Sequence, residues 1–209
     1  LVIVFVARHG ETDWNRAGRY QGQRESILTE TGFAQAGALA RALADRPIER
    51  VFSSPLSRCV ESAEPVARAH NLGIEIDERL IEIAHGTWEG RLRSDIERDD
   101  PQTMRDWRHE PDRVHFAGGE SLADVLARWE SFASSLHGEK EIVVVTHDVL
   151  VRVAILAATG RPLARLWEPR VVNGGYAAFE VRDEQWYLLE ECLDTHLDGL
   201  RVDVSRQAL

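Results

Sequence analysis

The chain has 209 residues, 44% hydrophobic and 29% charged, enough for one sizeable core and ordinary for a globular protein. A net charge of −10 argues against a nucleic-acid partner, which needs a basic face to meet phosphates. No apolar run reaches membrane-spanning length, no basic n-region marks a signal peptide, and Cys59 and Cys192 are too few for a disulfide framework, so one cytoplasmic domain over 1–209 with no membrane partner is expected.

Taken in order, Leu1–Ala7 is nearly all apolar, the mark of a strand covered on both faces. Asp13 to Ile27 is polar and reads as a loop. Thr29 to Arg46 has apolar residues at helical spacing and ends at Pro47. Val51–Ser54 reads as a short strand running into Pro55. Leu56 to Asn71 reads as a helix, with an irregularity expected at Pro65. Ile74–Asp77 alternates as a strand does. Arg91 to Glu110 reads as helix in two pieces, broken at Pro101. Leu122, Val125, Leu126, Trp129 and Phe132 mark an amphipathic helix after Ser121. Ile142–Thr146 is a second fully buried strand, followed by a helix from Val149 to Ala158. Tyr176–Val181 and Trp186–Glu190 form a hairpin around Asp183-Glu184. Gly118-Gly119 and Gly174-Gly175 read as turns.

This alternation predicts an α/β fold: a three-layer sandwich with a mostly parallel central sheet and helices on both faces. The stretch 85–119 is too long and polar for a simple crossover and is expected as a small helical cap over the strand ends. The tail 194–209 mixes Leu197, Leu200, Val202 and Val204 with charges. It is expected either to dock near the site mouth or a subunit interface, or to fray.

Two histidines stand where these strands end. His9 follows the first strand within Arg8-His9-Gly10-Glu11-Thr12, and His147 follows the buried strand Ile142–Thr146. Ligands of open α/β sheets bind beyond the carboxyl ends of strands. In an acidic chain, an anionic substrate needs a local basic pocket. A neutral imidazole nitrogen can attack phosphorus and form a phosphohistidine. A neighbouring cation such as Arg8 disfavours the charged imidazole. Arg8, Arg58 and His147 together can surround phosphate oxygens. A carboxylic acid must then protonate the leaving alkoxide, and Glu82 is placed for it in sequence. Each residue has a plainer reading. A lone histidine after a strand is usually a hydrogen-bonded turn residue. Glu82 competes with Glu75, Glu78 and Glu89, and Asn15 and Gln21 serve equally as turn caps.

Four segments reinforce one another: Arg8–Thr12 with Trp14-Asn15, Ser53-Ser54-Pro55-Leu56-Ser57-Arg58, Leu80-Ile81-Glu82 before Gly86, and Thr146-His147. In this order and at these intervals the chain resembles the histidine phosphatase superfamily, the phosphoglycerate mutase-like family, from Leu1 to about Phe179. The phosphatase-type members of branch 1 are the nearest in pattern. The resemblance implies His9 as nucleophile, Arg8, Arg58 and His147 as the phosphate pocket, and Glu82 as proton donor. It also implies phosphate-loop contacts from Asn15, Gln21 and Gly22, with no metal and no cofactor. Asp148 departs from the pattern, which commonly has a small residue after the second histidine. Its backbone N–H can still face phosphate, and a related branch takes its proton donor from a His-Asp pair, so Asp148 rivals Glu82. Otherwise it caps the helix starting near Val149.

The expectation is a metal-independent phosphomonoesterase that acts on a small phosphorylated metabolite through a phosphohistidine and releases inorganic phosphate. The alternatives are a cofactor-dependent phosphoglycerate mutase and a non-catalytic binding module on the same fold. A homodimer is open to it. Trp88, Arg91, Arg93, Trp107, Arg108 and His115 are candidates for the leaving group or, equally, a solvated helix pair. His70, His109, His137 and His196 read as surface residues; His85 is read as facing either the cap's inner side or solvent.

Overall fold

The computed structural model describes residues 2–136 and 140–209, so Leu1 and His137 lie outside the described residues. Strands β1 (Val2–Arg8), β2 (Ile48–Ser53), β3 (Ile74–Ile76), β4 (Glu141–Thr146), β5 (Tyr176–Arg182) and β6 (Gln185–Leu193) form one sheet in the order β3-β2-β4-β1-β5-β6. The β3-β2-β4-β1 portion is parallel, and β5 and β6 run antiparallel. The hairpin turn places Asp183 and Glu184 at φ 50° and 64°, the left-handed pair that a tight two-residue turn requires.

Each strand's alternation divides the interior in two. Phe5, Ala7, Val143 and Val145 pack against α2 (Glu30–Leu43) and α3 (Ser57–Ala69) through Leu39, Leu43, Ala63 and Val66. Val4, Val6, Ile142 and Val144 face the other way, toward α6 (Leu122–Ser134) and α7 (Asp148–Thr159). Both faces of β1 and β4 are thus buried, which is why these strands are continuous apolar runs rather than alternating ones. The three-layer α/β sandwich expected from the sequence is the observed architecture.

One local expectation needs correction. The polar stretch read as a loop contains a short helix, α1 (Asp13–Ala17). Its signal is a capping box, Thr12 with Asn15, and it stops at Gly18 with φ 65°. Five residues are too few to show apolar periodicity. Pro65 is the expected irregularity inside α3: the helix forfeits one backbone bond there and continues. Ile74–Ile76 is the strand its alternation predicts, at the edge of the sheet, with Ile76 51% exposed.

Within 85–119, α4 (Arg93–Asp99) and α5 (Pro101–His109) are separated at Asp100-Pro101, as the proline predicts. Trp88, Trp107 and Phe116 form a buried aromatic cluster with Tyr20 and His85. The tail is packed down rather than frayed: Leu197, Gln207 and Ala208 are all buried.

Candidate active site

Register brings the two histidines together. Arg8 on β1 lies opposite Thr146 on β4, so the next residues, His9 and His147, leave adjacent strand ends side by side. The His9 backbone N–H donates to Thr146 O at 2.9 Å, and the two imidazole centroids are 5.3 Å apart. β2 ends one step away, where Ser54 N–H donates to Val145 O. Gly10 follows because nothing larger fits: a Cβ there would lie 2.4 Å from the carbonyl oxygen of Gly32 on α2. Gly32 is constrained in turn by Glu11 O, at 2.1 Å from its own hypothetical Cβ. Glu11 itself is buried and holds Arg16 and Thr29 at 2.7 Å each.

His9 Nδ1 is 2.7 Å from Gly10 O. A carbonyl only accepts, so Nδ1 carries the hydrogen and Nε2 keeps its lone pair. Burial, then the Arg58 and Arg8 guanidiniums, hold His9 well below the usual imidazole range and keep it neutral. His147 is likewise pushed down by burial, Arg58 and His9. Its Nε2 is 2.8 Å from Ser54 Oγ, and Cys59 Sγ lies beneath the ring. Its ring meets that of His9 edge-on, beside the residues that line the cavity.

The cavity is lined by Arg8, His9, Gln21, Gly22, Arg58 and Glu82, with His85, Asp148 and Val149 beyond them and Ala208 and Leu209 from the tail. On its lining, Arg8 Nε and Nη1 and Arg58 Nε are buried without a hydrogen bond, although Nη1 is ion-paired to Asp148; Asn15 Nδ2, off the lining, is likewise buried and unbonded. A buried unpaired donor is costly, so a cluster of them marks where an oxyanion's lone pairs belong. The rest of each group is committed. Arg58 donates to Gly22 O and Arg24 O at 2.7 Å each, tying α3 to the loop between α1 and α2. Asn15 Oδ1 accepts from Thr12 N–H and from Asn173 Nδ2. Gln21 Oε1 accepts from Thr12 Oγ1 at 2.9 Å and from Ser26 Oγ at 2.5 Å. Gly22, at φ 51°, leaves the space that Glu89 occupies.

Glu82 enters from the loop after β3. Its Oε1 accepts from Ile83 N–H at 2.9 Å, and its Oε2 faces the Val149 N–H at 3.4 Å, in the first turn of α7. Burial, and then the negative Asp148, push its carboxyl up to about 7, against the pull of Ile83 N–H and Arg58. Asp148 is not the cap of α7. That position belongs to His147, whose side chain makes no capping bond, and Asp148 is the first helical residue. Its carboxylate sits between two buried guanidiniums, Arg8 Nη1 at 3.0 Å and Arg152 Nε at 2.6 Å. Arg152 is held further by Pro169 O at 2.5 Å. Asp148 therefore holds Arg8 in place.

The remaining candidates divide. His85, left undecided by the sequence, is buried with neither ring nitrogen partnered, and burial pushes it down to about 3. His115 is exposed. His70 and His196 are not plain surface residues: each is half-buried with a ring nitrogen on a backbone carbonyl, of Leu43 and Gly174 respectively. Trp88 is buried and donates to Asp100 Oδ2, and Arg91 pairs with Asp99. Arg93 and Arg108 both pair with Glu97 and, with Trp107, line a neighbouring cavity of about 330 Å³. Sequence reasoning missed Ser54 as a partner of His147, although it lies within a motif quoted above. It also missed Asn173, Gln207, Ala208 and Leu209, which carry no local signal.

Strand-end histidines above a doubly covered parallel sheet, ringed by unpaired arginine donors, make an oxyanion site of the phosphoryl-transfer kind. The chain belongs to the histidine phosphatase superfamily (branch 1), whose family model matches residues 4–193, and is by class a phosphoric monoester hydrolase. It is similar to phosphoserine phosphatase 1 of Hydrogenobacter thermophilus, 34% identical over 209 residues and 99% of each chain. It is similar to the probable phosphoglycerate mutase GpmB of Yersinia pestis, 28% identical over 97% of this chain and 98% of that one. The solved structure of Bacillus stearothermophilus YhfR superposes with a TM-score of 0.90 at 30% identity, covering 94% of this chain and all of that one. Among the described residues, no helix is long and apolar enough to cross a membrane.

Proposed function

We propose that the chain hydrolyses a small phosphorylated metabolite through a phosphohistidine at His9, without a metal, and that phosphoserine is the first substrate to test. The observation that carries the reaction is the tautomer of His9: with Nδ1 committed to Gly10 O, the basic nitrogen is Nε2 of a neutral, buried ring on the cavity wall. The Nε2 lone pair attacks phosphorus as the ester P–O bond breaks. Arg8, Arg58 and Asn15 donors take up the charge on the non-bridging oxygens, the preorganised stabilisation on which phosphoryl transfer mainly depends. Glu82, whose raised carboxyl holds its proton far better than an ordinary glutamate, gives it to the departing oxygen. The resulting carboxylate then takes a proton from the water that attacks the phosphohistidine. The N–P bond breaks, inorganic phosphate leaves, and both groups are restored.

Phosphoserine is supported by the relative that matches end to end and carries that activity in its name. The similarity to a probable mutase favours a second reading, in which the phosphohistidine returns its phosphoryl group to another hydroxyl instead of to water. Rapid quench with ³²P-labelled phosphoserine tests both. Hydrolysis predicts an acid-labile, alkali-stable phosphoenzyme in wild type, none in His9→Ala, and net phosphate release. Interconversion of 2- and 3-phosphoglycerate that depends on the bisphosphate, without release, would establish the mutase. Substantial turnover by a folded His9→Ala protein would remove the covalent mechanism altogether.

A further inference from the structure

Arg8 is already engaged on its outer corner. Its Nη2 donates to Gln207 Oε1 at 2.5 Å, from a side chain 199 positions away that is itself buried. Gln207 is held from its other end by Asn173 Oδ1, which accepts from Nε2 at 2.8 Å. The segment continues across the opening: Ala208 and Leu209 line the catalytic cavity, and Leu209 O accepts from Trp107 Nε1 at 2.7 Å. Beyond this strap lies the cavity of about 330 Å³, on whose wall Gln207 and Leu209 also stand. On the catalytic side the free volume is only about 10 Å³, room for about one water molecule.

A guanidinium grips an oxyanion in two-point fashion through Nη2 paired with either Nε or Nη1. Nη2 belongs to both forks. Asp148 takes Nη1, and Gln207 takes Nη2, so only Nε is unengaged. Gln207 Oε1 thus stands where a phosphate oxygen must come, and the remaining space does not admit a phosphate beside it.

We infer that Gln207 is a displaceable place-holder for phosphate on Arg8, so that entry of a phosphoryl group releases the strap 204–209 and joins the catalytic cavity to its larger neighbour. This rests on the reading of Arg8 as a phosphate ligand. The exchange is close to balanced, because one charge-assisted bond replaces another. What changes is the strap, which loses the Gln207 link to both Arg8 and Asn173. The enlarged cleft then receives the leaving group between Tyr20, Trp107 and Trp167, with Arg93 and Arg108 at the wall.

The test uses the full chain and inorganic phosphate. Calorimetric titration measures phosphate affinity, and hydrogen exchange follows the amides of 204–209. Binding slows exchange where a site tightens; the strap should do the opposite and exchange faster as phosphate saturates. Gln207→Ala removes the competitor and should bind phosphate about tenfold more tightly, the scale of one hydrogen bond to a charged group. Slower or unchanged exchange at 204–209 in the saturated wild type overturns the inference, and needs no variant. Weaker phosphate binding by Gln207→Ala also overturns it, making Gln207 a support for Arg8. Absence of phosphate binding by both proteins would instead remove the reading of the site itself.

Discussion

Arg8 Nη1 lies 3.0 Å from Asp148 Oδ1, and both side chains are 1% exposed. The same carboxylate holds Arg152 on its other oxygen, so one buried anion serves two buried cations. Such an arrangement costs desolvation to form and far more to break from one side. Asp148→Asn is therefore expected to destabilise the fold by roughly 3 kcal/mol, near the lower end for breaking a buried pair because the amide oxygen still accepts. Urea unfolding measures this. Turnover should fall alike for an alkyl phosphate and for para-nitrophenyl phosphate, since positioning of Arg8 serves both. A loss confined to the alkyl ester would make Asp148 the proton donor.

Glu82→Gln should give the complementary pattern. The alkoxide of an alkyl phosphate needs a proton as it departs, whereas para-nitrophenolate is stable without one. Loss of the donor should lower kcat/KM for the alkyl ester by roughly 10²–10⁴-fold, the scale of general acid catalysis, and for the activated ester much less. Equal losses on both would return Glu82 to a structural role.

The raised carboxyl of Glu82 has a sign that stability can read. Its folded value, about 7, lies above the ordinary 4.5. The folded protein therefore binds this proton more tightly than the unfolded chain between those values. That contribution is full below about pH 4.5, is lost as pH rises toward 7, and is flat above. Glu82→Gln never ionises, so its stability relative to wild type should rise between pH 4.5 and 8 by on the order of 3 kcal/mol. A pH-independent difference between the two unfolding curves would show that the carboxyl is not shifted. Phosphorylation of the enzyme by an alkyl phosphate should likewise slow above about pH 7.

Gly10→Ala places a methyl group 2.4 Å from Gly32 O, backbone that cannot turn aside. Either α2 or the His9 turn must shift, which predicts a loss of roughly 1–3 kcal/mol in thermal unfolding and a larger loss of turnover than of stability. Wild-type turnover in a destabilised variant would separate the motif's glycine from the chemistry.

Arginine and amide donors supply the positive field at the oxyanion cluster, where a metallophosphatase uses an ion. Exhaustive chelation should leave the rate of phosphate release unchanged, and a loss restored by magnesium, zinc or manganese would contradict the proposed chemistry.

The sequence by itself determined the sheet and the identity of the two strand-end histidines. Apolar runs such as Val2–Ala7 and Ile142–Val145 specify strands covered on both faces, and the amphipathic helices specify what covers them. Those are local patterns, so they are legible without coordinates. It also determined which residues to suspect, because Arg8, Arg58, Glu82 and His147 stand in segments that reinforce one another. The short helix α1 escaped it, because its signal is one capping box. Only the tertiary structure decided which nitrogen of His9 is basic, since that depends on where Gly10 O points. Only there does Asp148 meet Arg8 and Arg152 directly, one guanidinium on each carboxylate oxygen, rather than cap the helix. The tail residue Gln207 reaches Arg8 across 199 positions, with no motif around it. Contacts of that kind depend on how distant segments are brought together in space, and no periodicity or spacing along the chain records them.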